Sequence, residues 1–211
     1  MKKTISAAAA VLMTITLTAC SGNTVTASLK KTDASAEVTA CGMKISFPAE
    51  WEVLTGDDVY QMLFENSSGS YTDARALKES YTRNGASYVV YAAAPDQTAM
   101  VTLTTLEITA DESTGEQLSL EEYAQTNHNN SLLGWQIDGY TLQNTSFESA
   151  DIGGNSGWQS ICEVYTDETL LMGQSEFTFE YAGNFCSLQV YYHTAEAGEA
   201  TSGVISGITA V

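Results

Sequence analysis

The stretch from Phe177 to Tyr192 constrains the fold more than any other part of the chain. Phe177, Phe179 and Tyr181 alternate with Thr178 and Glu180, and Cys186, Leu188, Val190 and Tyr192 alternate with Ser187, Gln189 and Tyr191. A period of two sends one set to each face of a sheet, so this stretch requires two strands sharing an apolar face. Ala182-Gly183-Asn184 supplies turn chemistry between them, and so short a connection makes the pair antiparallel. The segments just upstream, about Thr141 to Ser149 and Gly157 to Thr166, follow the same rule around a Gly153-Gly154-Asn155 turn. With Leu170 to Tyr181 and Asn184 to His193 they form an antiparallel meander.

Nearer the N-terminus, Met43, Ile45 and Phe47 alternate with Lys44 and Ser46 in a strand ended by Pro48, and Trp51 and Val53 continue it. Thr55 and Asp58 read as a helix start, with Val59, Met62 and Leu63 on one face and a stop near Asn66. Thr72 or Asp73 caps a second helix carrying Ala74, Leu77 and Tyr81, closed by Asn84-Gly85. Two strands follow, about Ser87 to Ala94 and Ala99 to Thr109, joined by Pro95-Asp96-Gln97. Val101 and Leu103 share one phase and Leu106 and Ile108 the other, which requires a bulge near Thr104-Thr105 or cover on both faces; cover on both faces is the expectation. Ser119 and Glu122 form a capping box ahead of a helix with Leu120, Tyr123, Ala124 and Leu132 inward, ended by Gly134. Ala197, Ala200, Val204 and Ile208 mark a terminal helix weakened by Gly198, Gly203 and Gly207. The expected fold class is α+β, a three-layer α/β/α sandwich with a central antiparallel sheet and Trp51, Val101, Leu103, Phe179, Leu188 and Val190 in its core.

At the N-terminus, Lys2 and Lys3 precede an uncharged run from Ile5 to Leu17, the positive and apolar parts of an export signal. The run is too short to span a bilayer as a mature helix. It ends in Leu17-Thr18-Ala19-Cys20, which resembles the lipobox of bacterial lipoproteins. That resemblance implies that residues 1–19 are a signal peptide cut before Cys20, and that Cys20 is lipidated with a diacylglyceryl anchor. Two acyl chains are enough for stable attachment to a membrane. The expected organisation is then a lipidated Cys20 and flexible tether over 20–36, followed by a single domain over 37–211. The expected location is the cell envelope, on the extracytoplasmic side of a bacterial membrane.

Removing 19 of the 211 residues leaves 192, enough for one domain with a proper core. The signal takes two of the eight basic residues and none of the 26 acidic ones, so the exported chain carries a charge of −20. A surface that negative repels nucleic-acid backbones and anionic lipid, which excludes nucleic acid as a partner and leaves membrane attachment to the lipid. With Cys20 acylated, Cys41, Cys162 and Cys186 remain, and at most one intramolecular bridge can form among them. No CxxC or Cys/His pair stands at zinc spacing, and buried free thiols are the expectation.

His128 and His193 could join a carboxylate around a metal, but no ligand spacing supports them and surface histidines are the plainer reading. The acidic loop from Asp111 to Glu116 lacks the alternating oxygen ligands of a calcium loop. Gly153-Gly154-Asn155-Ser156-Gly157 precedes a strand and not a helix, so it is a turn and not a phosphate cradle. No Gly-x-Ser-x-Gly elbow or nucleophile triad is visible in the sequence. The expectation is no catalytic residue, no cofactor and no metal.

The order strand, helices, hairpin, capped helix, meander and terminal helix resembles the PsbP-like lipoproteins, a fold class shared with PsbP and the Mog proteins. The residues that carry it are Ile45-Ser46-Phe47-Pro48 running to Trp51, then Leu118-Ser119-Leu120-Glu121-Glu122-Tyr123, then Ile152-Gly153-Gly154 ahead of the meander. The glycine-rich terminal helix departs from that pattern. The resemblance implies helices on both faces of an antiparallel sheet and a protein-binding or assembly role, and it assigns no functional residue. The function expected is a membrane-anchored binding module with a protein partner at the cell surface, or else a lipoprotein that binds a small molecule or metal ion.

Overall fold

The structure is a computed structural model that describes residues 25–67, 69, 71–110 and 115–211. The export signal, Cys20 and most of the acidic loop lie outside the described residues.

The chain opens with three strands, β1 (Ser28–Lys31), β2 (Ser35–Ala40) and β3 (Met43–Pro48), followed by β4 (Glu52–Thr55). Two helices come next, α1 (Asp57–Asn66) and α2 (Ala74–Arg83), then the hairpin β5 (Ala86–Ala93) and β6 (Ala99–Glu107). Helix α3 (Leu120–Ile137) leads into the meander β7 (Thr141–Ile152), β8 (Asn155–Thr166), β9 (Thr169–Tyr181) and β10 (Asn184–Tyr192). The chain closes with α4 (Ala195–Ser206) and the short β11 (Thr209–Ala210).

Seven strands form one antiparallel sheet in the order β4-β5-β6-β10-β9-β8-β7. A second sheet, β1-β2-β3-β11, packs against it. The α+β fold with a central antiparallel sheet is therefore as read from the meander. The layer expected to hold helices alone contains this second sheet beside α4.

The two faces of the large sheet have opposite chemistry. Val101, Leu103, Phe177, Phe179, Cys186, Leu188 and Val190 point to one face and join Ala36, Val38, Met43, Ile45 and Phe47 of the small sheet in one apolar cluster. All six residues expected in the core are buried, Trp51 included, which stacks on Phe47 at 5.9 Å. Each such aliphatic side chain removed from water contributes about 1.5–3 kcal/mol. Helix α4 seals one side of the cluster with Ala197, Thr201 and Val204, and Ile208 follows it inward.

Glycine permits two close approaches here. Gly153, at φ +60, turns β7 into β8 beneath the C-terminus, and a Cβ there would lie 2.5 Å from Ile208. Gly173 lies flat beneath the Tyr192 ring, where a Cβ would fall 1.9 Å from its atoms.

Several local expectations are corrected. Residues 28–31 and 35–36, expected in an unstructured tether, pair as strands; Ala36 and Val38 are buried and Leu29 packs against the core. Thr55 does not cap α1: it ends β4, and Gly56 at φ +60 occupies the cap position. Asp73 is the cap of α2, accepting from the Ala76 amide at 2.8 Å. Gly134 does not end α3, because an exposed glycine only weakens a helix; α3 runs on to Ile137 and stops at Asp138 and Gly139. Between β5 and β6 the ladder is irregular opposite Leu103 and Thr104, but the extra residue, Val89, is on β5, and both faces of β6 are covered as expected.

Candidate functional site

The other face of the large sheet is polar, yet much of it is buried. Cross-strand pairing places Ser160, Glu176, Gln189 and Thr102 side by side across β8, β9, β10 and β6. Helices cover the two ends of this row. α1 and α2 dock over β5 through Tyr60, Tyr81 and Tyr88, whose rings meet edge to face, and the Tyr88 amide donates to the Tyr60 hydroxyl at 2.9 Å. α3 docks over β7 to β10: Tyr123 stacks on Phe185 at 4.5 Å, His128 packs against Phe147, and Phe147 stacks on Trp158 at 5.0 Å. The capping box fixes where α3 starts, with the Ser119 amide donating to Glu122 at 2.9 Å and the Glu122 amide returning to Ser119 at 3.2 Å.

Hydrogen bonds tie the row together. Ser187 and Gln189 both donate to Glu176 Oε1, the latter at 3.3 Å, while Thr102 and Tyr191 donate to Gln189 Oε1 at 3.4 and 3.2 Å. Burial raises the Glu176 carboxyl above its ordinary value, and the bonds from Ser187 and Gln189 oppose that rise only in part. His128 Nδ1 shares a hydrogen bond of 2.7 Å with Ser160 Oγ, and Ser131 donates to Gln174 at 3.2 Å. Burial holds the His128 imidazole below its usual value, which favours the neutral ring at physiological pH. Among the described residues no carboxylate is hydrogen-bonded to His128, so this serine and histidine lack the orienting acid of a nucleophile triad. Their chemistry is that of a buried polar seam holding α3 to the sheet.

A second arrangement lies on the apolar side, where α4 meets the end of the meander. Here an open cleft of about 730 Å3 is lined by Glu163, Tyr165, Tyr192, His193, Glu199 and Ser202, among others. Glu163 accepts from Tyr192 and Tyr165 at 3.0 Å each, and also from Asn144. Partial burial together with Glu163 pushes the Tyr192 hydroxyl up to about 12. His193 Nδ1 bonds the Leu171 carbonyl at 2.8 Å. Thr194 caps α4 by accepting from the Ala197 amide at 3.1 Å.

His128 and His193, weighed together as metal ligands, do not meet: His128 sits under α3 against Ser160 and Phe147, and His193 lines the cleft beside α4. Among the described residues no group of three or more His, Cys, Asp and Glu side chains could hold a metal ion. His128 is also not a surface histidine, being only 8% exposed. Cys41, Cys162 and Cys186 are all buried, as expected. Sequence reasoning missed Glu176, Ser187, Ser160 and Glu163. For Glu176 and Ser187 the available signal was the polar phase of β9 and β10, which alternation assigns to solvent and the helices instead cover.

Among the described residues no helix is long and apolar enough to cross a membrane. No protein-family model matches the chain, and no curated protein matches it in sequence. Solved structures do resemble it. The crystal structure of LpqN, involved in cell envelope biogenesis of Mycobacterium tuberculosis, is 13% identical with a TM-score of 0.43, covering 89% of this chain and 91% of that one. A protein from Bacteroides thetaiotaomicron is 10% identical with a TM-score of 0.30, over 81% of this chain and 45% of that one. The solution structure of cyanobacterial PsbP (CyanoP) from Synechocystis sp. PCC 6803 is 12% identical with a TM-score of 0.49, over 92% of this chain and 99% of that one.

Proposed function

We propose that the chain is a non-catalytic binding or assembly module, held on the extracytoplasmic side of a bacterial membrane by a diacylglyceryl anchor on Cys20. One observation carries the docking role: the far end of α3 turns large apolar side chains to solvent, with Leu133 54% and Ile137 75% exposed. These residues are four apart, so they stand one above the other on the helix surface. The side of α3 toward the sheet is already filled by Tyr123, Ala124 and His128. A strongly acidic exported chain suits a partner that surrounds an apolar contact with basic residues.

Crosslinking in intact cells, followed by mass spectrometry, tests this reading. A protein partner should be recovered through α3, and replacing Leu133 and Ile137 by serine should abolish it. A soluble Cys20→Ser form should keep its affinity for that partner while losing function in the cell, because the lipid supplies effective concentration and not contacts. Binding should weaken steeply from low to moderate salt.

A second reading has its own observation. The cleft beside α4 is lined by His193 and by Glu163 and Glu199, polar groups that suit a small polar ligand. A thermal shift with a small polar metabolite, lost in a Glu163→Gln variant and accompanied by no crosslinked protein, would favour this reading over docking.

A further inference from the structure

Two thiols far apart in sequence meet inside the apolar core. Cys41 opens the turn between β2 and β3, at φ +50, and Cys186 lies on β10 where the small sheet covers it. Their Sγ atoms are 3.6 Å apart, across a separation of 145 residues. Both side chains are sealed, at 2% and 0% exposure. A disulfide brings its sulfurs to about 2.05 Å, so roughly 1.5 Å of approach separates this pair from bonding. The third thiol is on the wrong side. Cys162 pairs with Gln174 on the helix-covered face, whereas Cys186 pairs with Phe179 on the core face, so the sheet itself stands between them.

We propose that the exported chain carries a Cys41–Cys186 disulfide, made by exchange with an oxidised dithiol protein of the extracytoplasmic space, and that Cys162 stays a thiol. The proposal rests on the reading of Cys20 as an export and lipidation site, since disulfides form and persist outside the reducing cytoplasm. In the exchange, the thiolate of one cysteine attacks a sulfur of the partner's disulfide, forming a mixed disulfide and releasing one partner sulfur as thiolate. The second cysteine's thiolate then attacks this chain's own sulfur in the mixed disulfide and releases the partner's other sulfur. Two protons leave the chain's thiols, and the two electrons reduce the partner's disulfide to a dithiol.

Burial sets the order of events. A thiol sealed in an apolar core neither ionises readily nor admits a partner protein, so exchange precedes the closing of the small sheet over the large one. Once formed, the bond lies between the two sheets. It clamps the sheet nearest the lipid tether to the central strand β10, and it closes a loop long enough to restrict the unfolded chain strongly.

The test uses the full chain isolated from the cell envelope, with thiols alkylated in denaturant before and after reduction and the peptides read by mass spectrometry. Before reduction Cys162 alone should be alkylated, and the Cys41 and Cys186 peptides should run as one joined species. After reduction all three should be alkylated. Reduction should also lower the Tm by roughly 5–15 °C. Alkylation of both Cys41 and Cys186 without reductant overturns the proposal, as does a bond from either one to Cys162. The N-terminal peptide in the same spectrum tests the export reading separately: a chain that does not begin at an acylated Cys20 contradicts that reading, while free Cys41 and Cys186 on a correctly acylated chain contradict the disulfide alone.

Discussion

The two faces of the seven-stranded sheet are built from the same strands and held by different forces. One face packs Leu103, Phe177, Phe179, Leu188 and Val190 against the small sheet and α4. On the other, Ser160, Glu176, Ser187 and Gln189 lie beneath the helices, joined to one another and, through Ser160, to His128 of α3 by hydrogen bonds. The apolar face gains from area removed from water and is indifferent to the direction of its contacts. The polar face gains little net energy per bond, but losing one partner there leaves a buried group unsatisfied. The first therefore carries the stability, and the second fixes how the helices sit.

Substitutions on each face separate these roles. Leu188→Ala removes a side chain that is 1% exposed and should cost about 2–5 kcal/mol, read from the urea midpoint, because it loses burial and leaves a cavity. Ser160→Ala should cost less, about 1–3 kcal/mol, since it strips His128 Nδ1 of its partner without opening a large void. A loss from Ser160→Ala as large as that from Leu188→Ala would break the comparison.

Glu176 sharpens the contrast through pH. Below the ordinary carboxylate value both folded and unfolded chains are protonated at Glu176, and burial there carries no charge penalty. As the pH rises from that value through the raised folded one, the unfolded chain holds fewer protons than the folded chain and stability falls. Glu176→Gln has no such titration. Its stability relative to the native chain should therefore climb over the same window in urea unfolding at a series of pH values; a constant difference would show that Glu176 is not protonated by burial. The smallest effect is expected outside both faces. Replacing the exposed Leu133 or Ile137 by serine should shift stability by no more than about 0.5 kcal/mol while abolishing partner crosslinking.

The apolar face was legible in the sequence because large side chains alternate without interruption in β9 and β10. Of the small sheet only β3 was, through Met43, Ile45 and Phe47. β2 turns Ala36, Val38 and Ala40 inward, and two alanines bracketed by Ser35, Glu37 and Thr39 give an alternation too faint to distinguish from a polar linker. β11 has only two residues, Thr209 and Ala210, too few for any period. The capping box of α3 was read correctly because it is a local device that needs no tertiary context. The polar seam failed the opposite way: Glu176 and Ser187 sit in the phase that alternation assigns to water, and only the docking of α3 over the sheet buries them. The meeting of Cys41 with Cys186 depends on one sheet closing over another, which no local spacing encodes.

The small sheet is an integral part of the core, and its first strands do not belong to a tether. Amide hydrogen exchange on the folded chain tests it most directly. The paired amides between Ser35 and Pro48 should exchange as slowly as those of β6 and β10, opening only with global unfolding. Exchange over residues 35–48 at the rate of an unfolded chain, with β6 and β10 still protected, would contradict the claim.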